Sequence, residues 1–324
     1  MKQLRRFIPF LVCIGAPCVG ACGPSGTTGS SSVADMPVTG TVYTIVLENE
    51  GASVLSEMPY ATSLTKQYAS AGAYYSDHHP SLPNYLLMTS GTDHDVTDDD
   101  GPEKHPIAGT ENLADQLDEA QVPWRAYMED MGEPCLMQDK GRYSVHHNPF
   151  VYYTSFANDS ARCAKHDVDM ATHFADDLKS NEFDFMWITP NKCHDGHDCP
   201  PAEADKWLQQ IVPQIMASDG YKQGGAIFIV WDEGGPDATY VFGGKQTTPF
   251  IVVSDHVASR GFTSKTLYSH DSYLATIQDF FSLPRLATTK ASAPMADLFT
   301  AVQPSATPAT SATSGAGGAG GSGG

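Results

Sequence analysis

Apolar positions cluster into short runs separated by polar, glycine- and proline-bearing stretches. Two of these runs stand out. Val42-Tyr43-Thr44-Ile45-Val46-Leu47 and Ala226-Ile227-Phe228-Ile229-Val230-Trp231 are uninterrupted and rich in β-branched residues, the signature of strands buried on both faces of a parallel sheet. Trp124–Met128, Phe183–Thr189 and Phe250–Val253 predict further strands. Between them, Met58–Ser70, Leu113–Glu119, Ala202–Ser218 and Ser272–Phe281 predict helices. Trp207, Ile211 and Ile215 recur at four-residue spacing on one face of the third, while Pro213 inside it predicts a kink. Leu274, Ile277 and Phe281 give the last helix its inward face. Alternating strands and helices predict one α/β domain over residues 38–300, with a mostly parallel central sheet flanked by helices.

Composition changes at both ends. Lys2, Arg5 and Arg6 precede a short apolar stretch from Phe7 to Val19, too short for a span that needs about 20 apolar residues. Residues 1–21 therefore predict an export signal, and Val19-Gly20-Ala21-Cys22 predicts lipoprotein-type processing with a lipid anchor on Cys22. Residues 22–37 follow as a flexible linker, and the Ala/Thr/Ser/Gly-rich residues 301–324 as a tail too polar to fold. The predicted location is periplasmic or cell-surface, with plain secretion as the alternative. Cys135, Cys163, Cys193 and Cys199 then remain, an even set suited to disulfides in an oxidising compartment. Three pairings are open; proximity favours Cys193–Cys199, leaving Cys135–Cys163. A formal charge of −19 argues against nucleic acid as a partner.

The two principal strands each end in a metal-capable pair, Glu48-Asn49 and Asp232-Glu233. Ligand sites of open α/β sheets lie beyond the carboxyl ends of strands, so the two pairs predict convergence on one hard cation. His79-Pro80-Ser81-Leu82-Pro83-Asn84-Tyr85-Leu86 adds a serine at or near the N-cap of a helix whose first turn suits Pro83. A hydroxyl there sits among unpaired N–H groups that stabilise phosphate oxygens, although serine is also a common structural cap.

Taken in order, Glu48-Asn49, His79 to Tyr85, His147-Asn148-Pro149-Phe150, Thr189-Pro190-Asn191 with Asp195-Gly196-His197-Asp198-Cys199, Trp231-Asp232-Glu233-Gly234-Gly235 and Ser269-His270 resemble a known family. It is the phosphoesterase family of bacterial and fungal acid phosphatases and non-haemolytic phospholipases C, within the alkaline-phosphatase superfamily. The resemblance implies an alkaline-phosphatase-like fold and hydrolysis of a small phosphate ester. It implies one divalent metal ion on Glu48, Asn49, Asp232, Glu233 and the Ser81 oxygen, with Ser81 as nucleophile. His147, Asp195, His197 and His270 would line the phosphate pocket. Mg²⁺, Ca²⁺, Mn²⁺, Zn²⁺ and Fe all remain open for such a donor set. A monoesterase is expected first, a phospholipase C-like diesterase second, and an inactive ligand-binding lipoprotein third.

Other polar residues receive plainer expectations. His146 stands beside His147, which is favoured as the one facing substrate. Glu50 is expected to be a solvated loop carboxylate. His94, His105, His166 and His173 are expected on the surface, and His194 exposed in its small loop. Asp98-Asp99-Asp100 lacks the spaced ligands and terminal glutamate of an EF-hand and predicts a solvated turn.

Overall fold

A computed structural model describes residues 38–235 and 244–300. The predicted export signal, linker and tail lie outside these residues, and the expected lipid anchor on Cys22 with them. None of the described helices is long and apolar enough to cross a membrane.

The strands are β1 (Val42–Leu47), β2 (Ala69–Ala71), β3 (Tyr74–Ser76), β4 (Trp124–Met128), β5 (Asp167–Asp169), β6 (Phe185–Thr189), β7 (Ala226–Trp231), β8 (Gln246–Thr248), β9 (Phe250–Ser254), β10 (Phe262–Ser264) and β11 (Tyr268–Ser269). Eight of them form one sheet in the order β10-β2-β9-β7-β1-β6-β4-β5, and β11-β3-β8 form a second, small sheet. The five strands from β7 to β5 run parallel, and β9 joins antiparallel to β7. β1 and β7 pair along their whole length, Leu47 opposite Trp231. Every residue of β1, β6, β7 and β9 is buried, as their unbroken apolar composition requires.

Helices cover the sheet: α1 (Pro59–Gln67), α2 (Ser81–Ser90), α3 (Leu113–Glu119), α4 (Thr154–Ala157), α5 (Ser160–His166), α6 (Met170–Ser180), α7 (Pro201–Ala217), α8 (Asp219–Lys222) and α9 (His270–Phe280). Pro213 is indeed inside α7. The predicted first helix stops short at Gln67, because the following residues join the sheet as β2. α2 is buried at every position and ends on Gly91, whose φ of 72° is the left-handed conformation that closes helices. Cys135–Cys163 and Cys193–Cys199 are both disulfide-bonded, the pairing that proximity favoured.

Candidate active site

Glu48 and Asp232 are the first residues past the paired ends of β1 and β7, so the sheet register places them side by side. Asp232 N–H donates to Leu47 O at 3.0 Å, extending the ladder to the site. The chain turns at Asn49 with φ 51°, a conformation asparagine tolerates better than most residues, and its N–H donates to Asp232 Oδ1 at 3.2 Å. The loop after β6 supplies a third wall: Glu48 N–H donates to Asp195 O at 3.0 Å. Gly196 follows with φ 102°, and a Cβ there would stand 3.6 Å from Glu48 O. The positive φ suits glycine, while a Cβ would meet Glu48 O at no more than ordinary contact distance.

Ser81 opens α2 as its first residue, and Pro80 takes the cap position with no side-chain bond. The serine hydroxyl is therefore not a cap. It donates to Glu48 Oε2 at 2.9 Å and lies close enough to Asp232 and Glu233 to offset a small part of the rise in pKa that burial gives both. One turn on, the Tyr85 hydroxyl donates to Glu48 Oε1, and its ring stacks on His147. Asn84 bonds both the N–H and the C=O of His78, pinning the approach to Ser81.

His147 stands between two carboxylates, Nε2 3.4 Å from Glu48 Oε1 and Nδ1 3.2 Å from Asp195 Oδ2. Neither contact is aligned as a hydrogen bond, which leaves both nitrogens of a fully buried ring open to a further partner. His146, His147 and His197 bring ring nitrogens within 4.8 Å of one another, as do the ligand atoms of Glu48, His147 and Asp195. Of the two adjacent histidines, His147 is thus the one between Glu48 and Asp195, while His146 turns to Ser144. His79, though half-exposed, has Nδ1 2.7 Å from Glu233 Oε2.

His270 occupies a different place from the one expected. Its ring is fully buried, Nε2 bonded to Asp232 O at 2.6 Å and Nδ1 to Tyr74 Oη at 2.9 Å. Both nitrogens are engaged by protein, and the bond to Asp232 O ties His270 to the end of β7. His166 is likewise buried, stacked on Trp124 and bonded to its carbonyl. His194 is half-buried on Glu129. Glu50 is half-buried as well, its N–H bonded to Glu233 O. Asp99 corrects the expectation of a purely solvated turn, for its Oδ1 accepts the Leu82 N–H at the start of α2 at 2.9 Å. No spacing signal marks that contact. The Tyr85 contact was within reach, because positions 81 and 85 share one helix face.

The electrostatics are those of crowded buried acids. Burial, then the neighbouring Asp232 and Asp195, pushes Glu48 well above the usual carboxylate range. Burial raises Asp232 to about 7 and Asp195 to about 8. Burial and the charge of Asp232 raise Glu233 to about 10. Burial, then His197, lowers His147 to about 3. Asn49 Oδ1 and Asp232 Oδ2 are buried without hydrogen-bond partners, while Glu233 Oε2 faces the His79 ring nitrogen. Such stranded oxygens, in an all-oxygen set, fit a hard divalent cation.

A profile of the Phosphoesterase family matches residues 54–284, well over half the chain. The phosphate-repressible acid phosphatase of Penicillium chrysogenum is 28% identical over 223 residues, 66% of this chain and 52% of that one. The phosphatidylinositol-3-phosphatase of Mycobacterium tuberculosis is 22% identical over 313 residues, 92% of this chain and 96% of that one. A solved alkaline-phosphatase-superfamily protein from Vibrio parahaemolyticus superposes with a TM-score of 0.54 at 11% identity, over 78% of this chain and 69% of that one, a likeness of fold. The chain spans about half the length of the fungal acid phosphatases it matches. With its ordered motifs gathered at one end of a mostly parallel sheet, this chain belongs to the phosphoesterase family.

Proposed function

We propose that this protein hydrolyses phosphate monoesters through a phosphoserine intermediate on Ser81. One observation carries the reading: the hydroxyl that opens α2 is turned away from capping and onto Glu48, beside Asp232 and Glu233. Glu48, Asn49, Asp232, Glu233 and the Ser81 oxygen would hold one divalent ion, which would lower the serine pKa and offset phosphoryl charge. Ser81 Oγ, its proton lost to solvent, attacks phosphorus as the bond to the leaving oxygen breaks. His147 and His197 donate N–H to phosphoryl oxygens, and the more exposed His197 gives the departing alkoxide its proton. Asp195 Oδ2, 3.2 Å from Nδ1, would limit how the His147 ring can turn. Water then attacks the phosphoserine, freeing phosphate and restoring the hydroxyl.

The Mycobacterium relative, similar over almost its whole length, is named for removing a phosphate from the inositol 3-position, a monoester bond, which favours monoesters over diesters here. Turnover of p-nitrophenyl phosphate against p-nitrophenyl phosphorylcholine tests the order, and dominant diester cleavage would reverse it. Ser81→Ala is expected to reduce phosphate release at least 10³-fold, on the scale of losing a nucleophile. Undiminished release would end the nucleophile assignment.

A further inference from the structure

Glu129 takes no part in the chemistry above, yet three groups converge on it. It is the first residue past β4, and its N–H extends the ladder to Thr189 O at 3.0 Å. Its Oε2 accepts the Asn191 N–H at 3.0 Å and faces His194 Nδ1 at 2.8 Å; its Oε1 accepts the Trp207 Nε1–H at 3.2 Å. One carboxylate therefore joins β4, the loop after β6 and α7.

Asn191 passes that constraint on. Its side-chain amide donates to Asp130 Oδ2 at 2.7 Å, while its Oδ1 accepts the N–H groups of Cys193 and His194. Its backbone carbonyl accepts the Asp195 N–H at 2.9 Å. Asp195 in turn touches the site twice, through its carbonyl on Glu48 N–H and its carboxylate beside His147. The Cys193–Cys199 bridge closes the loop over this path. The loop between Pro190 and Pro200 has no regular structure of its own, so its conformation depends on such tethers.

We propose that Glu129 is a positioning residue for the hydrolytic reaction, fixing the 190–199 loop through Asn191 so that Asp195 keeps its contacts with Glu48 and His147. The inference rests on the role given to Asp195 in the proposed function. Supporting groups of this kind change rates 10- to 100-fold because displacements of about 1 Å are costly at a reacting centre.

A double-mutant cycle on the full chain tests it, with p-nitrophenyl phosphate as substrate and thermal midpoints recorded in parallel. Glu129→Ala is expected to lower kcat at least tenfold with KM changed less than about twofold, and Glu129→Gln, which keeps an acceptor oxygen, to recover much of the loss. In an Asp195→Asn background, Glu129→Ala should lower kcat less than about twofold further. An equal loss in both backgrounds, or wild-type kcat in Glu129→Ala, overturns the proposal. Should Glu129→Ala fail to fold, the same criterion applies to Glu129→Met, which keeps the side-chain length but removes both acceptor oxygens, alone and combined with Asp195→Asn. Wild-type kcat in Asp195→Asn alone would instead defeat the site assignment on which the inference stands, so the two failures are separable.

Discussion

Tyr85 and Ser81 hold opposite oxygens of the Glu48 carboxylate from one face of α2. Tyr85→Phe removes the donor to a fully buried carboxylate oxygen but keeps the ring stacked on His147. An unsatisfied buried acceptor costs on the order of 1–3 kcal/mol. Denaturant titration should show that loss, and steady-state kinetics a fall in kcat of roughly tenfold; no change in either would mean the contact is idle. Asp167 shows the opposite case, a buried acid away from the proposed chemistry. Its Oδ2 accepts Asn148 Nδ2–H at 2.9 Å, Oδ1 has no partner, and burial raises its pKa from 3.8 to about 7. A carboxyl raised on folding contributes stability below its unfolded value and loses it as pH rises through the folded one. Asp167→Asn removes that loss. Its thermal midpoint should therefore gain on wild type more at pH 8 than at pH 5; an equal gain at both, or the reverse order, would show the acid is not buried in its neutral form.

At the scale of elements, the end of α2 that carries Ser81 is held by a residue from a distant turn. Asp99 satisfies the Leu82 N–H that Pro80 cannot, and a carboxylate also complements the positive end of the helix. Asp99→Ala is expected to cost about 1 kcal/mol of stability, with Asp99→Asn recovering most of it by keeping an acceptor. Wild-type stability in Asp99→Ala would show that water serves the N–H equally well. Nothing in the spacing of Asp98-Asp99-Asp100 foretells this, since capping from outside the helix depends on tertiary approach. The long strands were legible because six buried residues in a row leave few alternatives, and their carboxyl ends located Glu48 and Asp232. β2, β3, β5, β8, β10 and β11 were not, for two or three residues cannot display a period of two. His166 looked like a surface residue from its polar neighbours, yet stacking on Trp124 buries it. His270 was legible as part of the site, but sequence order cannot say whether a ring nitrogen meets a substrate or a backbone carbonyl.

Across the whole molecule, the parallel strands deliver acids to one point. Glu48 from β1, Asp232 and Glu233 from β7 and Asp195 after β6 would all be charged in water, and in a chain of formal charge −19 no lysine or arginine forms an ion pair with them among the described residues. Burial answers by raising their pKa values, to about 7 for Asp232, about 8 for Asp195 and about 10 for Glu233. In the cation-free protein each contributes stability below its unfolded pKa, near 4, that is lost as pH rises through about 7 to 10. A divalent ion on the proposed ligands Glu48, Asp232 and Glu233 would bind their ionised forms and displace protons, so its affinity would tighten over the same interval. Chelator-treated protein should therefore lose stability between pH 5 and pH 8, and the gap in thermal midpoint between metal-loaded and chelated protein should widen. Proton release on adding metal, followed in weak buffer at pH 6, should accompany it. A gap that stays constant or narrows with rising pH, with no protons released, would mean that Glu48, Asp232 and Glu233 do not hold the ion.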